Sequence, residues 1–185
     1  MWPDASDTEP AALRAAFGHV PLGPPLGPAG VREREEAFGV TLPEPYRSLV
    51  AVIGDGCPGG PPFYGLLRLD DSLTGGDGSV RAEGIDLTRP FPLTETWAWR
   101  DDPRPDAVVE PLVAEAWTSG TLPLGTDGCG MDWRLVITGP QRGRVWWFCE
   151  DGAQPLAGPF STAGPGLLGW VRHWAAGRDW FDTGG

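Results

Sequence analysis

The chain has no lysine and no asparagine, and only two histidines and three cysteines among its 185 residues. Each scarcity removes a class of chemistry. Cys57, Cys129 and Cys149 are an odd set with no CxxC pair, which argues against a disulfide framework or a zinc site of the usual spacing and fits a reduced compartment. No run approaches the roughly 18 consecutive apolar residues of a membrane helix, and the opening "MWPDASDTEP" lacks the apolar core of a leader. The expectation is a soluble, cytoplasmic protein that does not engage a membrane.

Positive charge is also scarce. All 14 basic residues are arginine, against 25 acidic ones, for a formal net charge of -11. Nucleic-acid binding draws its affinity from basic patches, so this balance disfavours nucleic acid and favours a basic protein as partner. The simpler account, that the charge keeps the protein in solution, stands beside it. There is no P-loop and no GxGxxG opening a helix, and "GDGCPGG" lacks the lysine and hydroxyl that grip a nucleotide phosphate. Nothing repeats at a fixed period, which removes solenoids and propellers.

What is present belongs to a folded domain. Hydrophobic residues make up 41% and charged residues 21%, near globular averages. The 28 glycines and 21 prolines fall mostly between periodic apolar segments, which makes them ordered loops, with a softer patch over 72–84. "PAALRAAFGH" begins with Pro10, suited to a first helical turn, and "VPLGPPLGP" then breaks the helix into an arm. "AGVREREEAFG" resumes helical spacing and stops at Gly39. Tyr46, Leu49, Val50 and Ile53 form an apolar helical face, and "FYGLLRL" then reads as a strand in which Gly65 marks a bulge or a close backbone approach. "DDSLTGGDGSVRAEGIDLTRP" has turn signals throughout and reads as loop, alone or with one short strand. The next helix spans "RPDAVVEPLVAEAWTSG", with Pro111 kinking it or starting a new turn.

The strongest strand signal is "TLPLGTDGCGMDWRLVITGPQRGRVWWFCEDG", in which alternation from Trp133, the turn "GPQRG" and alternation from Val145 make an antiparallel hairpin. Its second strand is apolar on both faces, so one face packs on helices and the other requires cover from the arm, a loop or a partner. Leu167, Leu168, Val171 and Trp174 line a last helix ending at Gly177. The expected class is α+β, a mainly antiparallel sheet packed against helices, with a helix and arm over 1–30 and a single domain over 31–182.

No reaction centre stands out. Cys129 lies between glycines in "GTDGCGMD", but an activated thiolate needs a base or a cation, and His19 and His173 are distant in sequence. A cysteine hydrolase is therefore the minor alternative, and no catalytic residue is assigned. "DDSLTGGDGS" and "GTDGCGMD" offer oxygen ligands without the spacing of a calcium loop, so no metal or cofactor is expected. The 10 tryptophans read first as core, since large aromatics dominate buried area, but Trp97, Trp99, Trp146 and Trp180 have charged or loop neighbours that could expose them in part as protein-binding anchors, with a carbohydrate platform as the competing use.

The stretch "EEAFGVTLPEPYRSLVAVIGDGCPGGPPFYGLLRLDD" resembles the opening signature of the SMI1/KNR4 family, also called the SUKH superfamily. "LPLGTDGCGMDWRLVITGPQRGRVWWFCEDG", with Gly143, Val145 and Trp146, is similar to that family's second signature. The likeness covers most of 31–182, with "GDGCPGG" in place of the usual "NGG" and no correspondence over 72–110. It implies a SUKH-like α+β fold and a non-enzymatic role, for many bacterial members that of an immunity protein neutralising a toxin, often a nuclease. Other members are regulatory interaction modules. Phe38, Gly39, Leu42, Pro43, Tyr46, Gly143 and Trp146 are architectural in this pattern, so the partner-binding candidates are the acidic loop residues Asp55, Asp70, Asp71, Asp101, Asp102, Asp127, Asp132, Glu150 and Asp151.

Overall fold

The structure, a computed structural model, describes residues 8–76 and 78–183. Most of the amino-terminal segment read above for a leader lies outside the described residues. Six helices and four strands follow in order: α1 (Thr8–Phe17), α2 (Gly27–Phe38), α3 (Tyr46–Ser48, continued by a π-helical turn over Leu49–Ile53), α4 (Leu69–Thr74), α5 (Asp106–Thr118), β1 (Thr121–Gly128), β2 (Met131–Val136), β3 (Val145–Phe148), β4 (Ala153–Pro155) and α6 (Leu167–Ala175). The strands form one antiparallel sheet in the order β1-β2-β3-β4, as an α+β reading requires.

Several helix boundaries follow from local chemistry. Gly39 ends α2 in a left-handed conformation, with φ of 69°. Pro111 sits inside α5 and on its exposed side, and the helix continues through it as one element. The arm over 20–26 docks on the segment after α3: Gly23 N–H donates to Gly56 O at 2.9 Å and Leu26 N–H to Val50 O at 2.9 Å. Because α1 buries Leu13 and Phe17 in the main core and packs on α6, residues 8–30 belong to the same folded unit as the rest.

The segment 63–69 does not form the expected strand. Leu66 makes a single bridge to Cys57, and Leu67 N–H reaches Leu124 O at 2.8 Å along the outer edge of β1. The chain then turns into α4 because the buried Asp55 accepts Leu69 N–H at 2.8 Å, a side-chain cap supplied from another loop. Asp70 and Asp71 consequently occupy the first turn of a helix, where the backbone dipole favours negative charge. Strand β1 opens the stretch that carries the strongest strand signal, ahead of the alternation that begins at Trp133. Pro123 and Gly125 interrupt its pattern, and the register shifts between them. A side chain at position 125 would place its Cβ 2.5 Å from Gly65 O, so only glycine lets the 61–65 loop lie against this strand.

The sheet is covered on both faces. Trp133, Leu135 and Val145 join Tyr46, Leu49, Leu167 and Trp170 in the main core, beneath α1, α3 and α6. On the opposite face Val136, Trp146 and Phe148 meet Phe91, Trp99, Val109 and Trp117. The cover for the second face is therefore the 91–99 segment and α5, and not the amino-terminal arm or a partner. Trp146 and Trp99 are correspondingly buried, in contrast to the surface positions expected for them, whereas Trp97 and Trp180 are half-buried.

Between the sheet and α5 lies a buried charge. Arg134 has no exposed surface. Its guanidinium donates to Trp117 O at 2.8 Å, to Thr121 Oγ1 at 3.2 Å and to Arg81 O, lies 3.7 Å from Asp132 Oδ2, and faces the rings of Trp117 and Phe148 at 4.9 and 5.2 Å. Burial pulls its pKa down to about 10, against the upward pull of Asp132, so the group stays charged at neutral pH. Burial likewise pushes the Asp132 carboxyl up, although Arg134 and the Arg81 N–H at 3.0 Å oppose this. Arg134→Ala is expected to lower the unfolding free energy by about 3–5 kcal/mol, because it strands a buried carboxylate. Adding Asp132→Asn should recover part of that loss in urea denaturation, and a double variant no better than the single would rule out the pairing as the cause.

A second clamp explains the opening signature. Glu35, near the end of α2, accepts Arg47 Nε at 2.7 Å, Arg47 Nη2 at 2.9 Å and Leu42 N–H at 2.9 Å, tying α2 to the start of α3. Burial raises the Glu35 pKa, but the Arg47 hydrogen bonds, the Leu42 amide and the arginine charge outweigh it, and the net direction is downward from 4.5. A carboxylate with a lowered native pKa stabilises the fold above its unfolded pKa and loses that contribution as the pH falls through the lowered one. Glu35→Gln should cost about 2–3 kcal/mol at neutral pH, and the difference from the natural protein should shrink below about pH 4 in pH-resolved denaturation.

Candidate functional site

The strand register brings the β1–β2 and β3–β4 turns to one end of the sheet, opposite the β2–β3 turn. Gly128 pairs with Met131 around the first turn, Asp132 pairs with Phe148 across β2 and β3, and Phe148 pairs with Ala153 around the second. Cys129 and Gly130 have φ of 51° and 72°, the positive pair that a tight two-residue hairpin turn requires.

The segment 97–104 packs around the second turn. Trp97 and Ala153 exchange backbone hydrogen bonds at 2.9 and 3.0 Å, Trp99 Nε1 donates to Glu150 O at 2.7 Å, and Arg100 N–H to Asp151 O at 3.2 Å. Four candidate carboxylates are thereby gathered: Asp101, Asp102, Glu150 and Asp151. Two of them are held. Asp151 pairs with Arg100. Asp102 binds the Arg104 side chain and Trp97 Nε1 at 2.8 Å, and these hydrogen bonds, led by that of Arg104, hold its carboxyl well below the usual range. Asp101 and Glu150 are exposed and face Arg100 at longer range. Four carboxylates against two guanidiniums leave this corner negative.

Beside the first turn the 58–65 loop presents two aromatic rings to solvent. Phe63 is 80% and Tyr64 64% exposed, with ring centroids 5.1 Å apart in an edge-to-face arrangement. Asp127 braces them: its Oδ1 accepts Phe63 N–H at 2.9 Å and its Oδ2 accepts Trp133 Nε1 at 2.7 Å. Tyr64 N–H adds a bond to Thr126 O at 3.2 Å. The carboxy-terminal segment lies nearby, with Trp180 on Trp133 at 4.7 Å and the exposed Phe181 on Trp147 at 5.1 Å. The hydrogen bonds fix the backbone beneath the two rings, and large aromatics displayed in solvent are the composition of a protein-binding anchor.

Of the nine candidate carboxylates, five therefore lie around this end of the sheet: Asp101, Asp102, Asp127, Glu150 and Asp151. Asp70 pairs with Arg34 at 2.9 Å on α4, where Asp71 is its neighbour. Asp55 and Asp132 are corrections to the expectation: both are buried, one capping α4 and the other pairing Arg134, so neither can meet a partner as a surface charge. The aromatic pair Phe63 and Tyr64 was not among the candidates, although two large rings directly after Pro61-Pro62 in a glycine-rich loop are their own signal. Cys129 is exposed at its turn, His19 is exposed after α1, and His173 is buried with Nε2 at 2.8 Å from Asp179 O. Among the described residues no hydrogen bond joins Cys129 to either histidine, no three His, Cys, Asp or Glu side chains are placed to hold a metal ion, and no helix is long and apolar enough to cross a membrane.

Asp127→Ala should accelerate hydrogen exchange at the Phe63 amide by at least about tenfold and lower stability by about 1–3 kcal/mol, since two donors lose their acceptor. Unchanged exchange at Phe63 would show that the loop is held by other means. No protein-family model, curated protein or solved structure matches the chain.

Proposed function

We propose that this chain is a non-enzymatic protein-binding domain for a basic partner, and that it serves as an immunity protein that neutralises a cognate toxin. The observation that carries the binding role is that exposed aromatics beside the β1–β2 turn and an acidic corner beside the β3–β4 turn lie at the same end of the sheet, along its two opposite edges. The two features do different work. Carboxylates steer a basic partner and accelerate encounter, whereas aromatic anchors bury apolar area and slow release. The chain-wide charge of -11 extends the same steering field. The immunity role rests on the SMI1/KNR4 resemblance, and a partner of the nuclease class, with its basic substrate cleft, fits the charge.

The test uses the protein encoded beside this one, purified for binding kinetics and co-expressed for rescue of growth. Asp101→Lys with Glu150→Lys should slow association about tenfold at low salt with little change in release. Phe63→Ala with Tyr64→Ala should speed release by about tenfold or more and leave the fold unchanged. Binding insensitive to all four substitutions, or absent altogether, would remove this surface as the binding site. Binding without rescue of growth would leave a protein-interaction module and remove the immunity role.

A further inference from the structure

A groove of about 560 Å³ opens between the braced loop and the carboxy-terminal segment. Its walls include Pro62, Phe63, Trp174 and Trp180, and its charged lining consists of Asp127 and Arg178. The two charges are not equivalent. Arg178 is directed to Thr162 Oγ1 at 3.1 Å and to Asp182 at 3.9 Å, so its charge is already answered outside the groove. Asp127 takes its two hydrogen bonds from neutral donors, the Phe63 amide and the Trp133 indole, and among the described residues no cation pairs with it.

An uncompensated carboxylate in a groove that Phe63, Trp174 and Trp180 also line is complementary to a cation, because aromatic ring faces are electronegative and apolar walls weaken solvent screening. Trp180 is held by Trp170 at 5.8 Å and 15°, by His173 at 5.8 Å and 22° and by the tilted Trp133 at 4.7 Å, which fixes its indole plane, and Trp174 lies tilted against Phe17 at 6.3 Å. A planar cation exploits fixed ring faces better than a compact ammonium does. We infer that this groove receives an arginine side chain of the partner protein, its guanidinium lying against the Trp174 and Trp180 indoles with its charge toward Asp127. The inference rests on the proposed binding of a basic protein and names the side chain that this part of the surface reads.

The experiment needs no partner. N-acetyl-arginine methylamide is titrated into the full chain while the indole N–H resonances are followed by NMR, with N-acetyl-citrulline methylamide as the uncharged isostere. The Trp174 and Trp180 signals should shift and saturate with the arginine probe, and the citrulline probe should bind about fivefold more weakly or worse. Asp127→Asn should abolish that preference. Since Asp127 also braces the loop, Phe63→Leu provides a second variant at an exposed position, and it should weaken the arginine probe by about threefold without disturbing the remaining spectrum. Absence of shifts at both indoles, equal binding of the two probes, or an unchanged response in Phe63→Leu would each overturn the inference. If the probe fails while a partner still binds through Asp101 and Glu150, the groove assignment falls and the binding role stands. If the probe binds and no protein partner does, the reverse holds.

Discussion

A guanidinium sealed from water needs its N–H groups met and its charge answered, and Arg134 satisfies most of this demand through groups from four separate segments. Trp117 O closes the end of α5, Thr121 Oγ1 comes from β1, Asp132 from its own strand, and Arg81 O from the loop before α5. The rings of Trp117 and Phe148 complete the enclosure. A buried ion pair is often no more stable than an apolar replacement, so its value here lies in specification. The second face of the sheet could be covered by many apolar arrangements, but few place a carbonyl, a hydroxyl and a carboxylate around one fork. The packing of α5 follows from that restriction, and Trp117 at its end meets Trp99 of the 97–104 segment at 6.2 Å.

Much of the framework was legible in the sequence, and the legible parts share a property. Helix α2 with Gly39, the β2–β3 hairpin and helix α6 each carry a periodic apolar pattern and a local stop, so their structure is decided within their own residues. The illegible parts are decided elsewhere in the chain. Helix α4 exists because Asp55 caps it across 14 positions. Strand β1 is disguised by Pro123 and Gly125, which the 61–65 loop requires. Residues 72–110 show no period because their anchors are single side chains such as Phe91 and Trp99, each fixed by a distant aromatic.

The candidate site was legible only in part for the same reason. Sequence cannot separate an aspartate that caps a helix or pairs a buried arginine from one that faces solvent, so Asp55 and Asp132 resembled Asp101 and Glu150. Proximity was hidden as well. Asp101 and Glu150 lie 49 positions apart and meet only because Trp99 and Arg100 bond to the turn between β3 and β4. Phe63 and Tyr64 gain meaning from Asp127, which turns a flexible loop into a fixed display.

The pairing along the outer strands limits how another protein can approach. The free side of β1 is taken by Tyr64 and Leu67, which bond to Thr126 and Leu124, and that of β4 by Trp97, which bonds to Ala153. Pro155 has no N–H to offer at the end of β4. A visiting segment thus finds no open backbone ladder to extend, and β-augmentation is closed to it. The proposed recognition would therefore proceed through side-chain shape and charge, and discrimination among related visitors would be tunable by point substitution, with no alteration of the sheet itself.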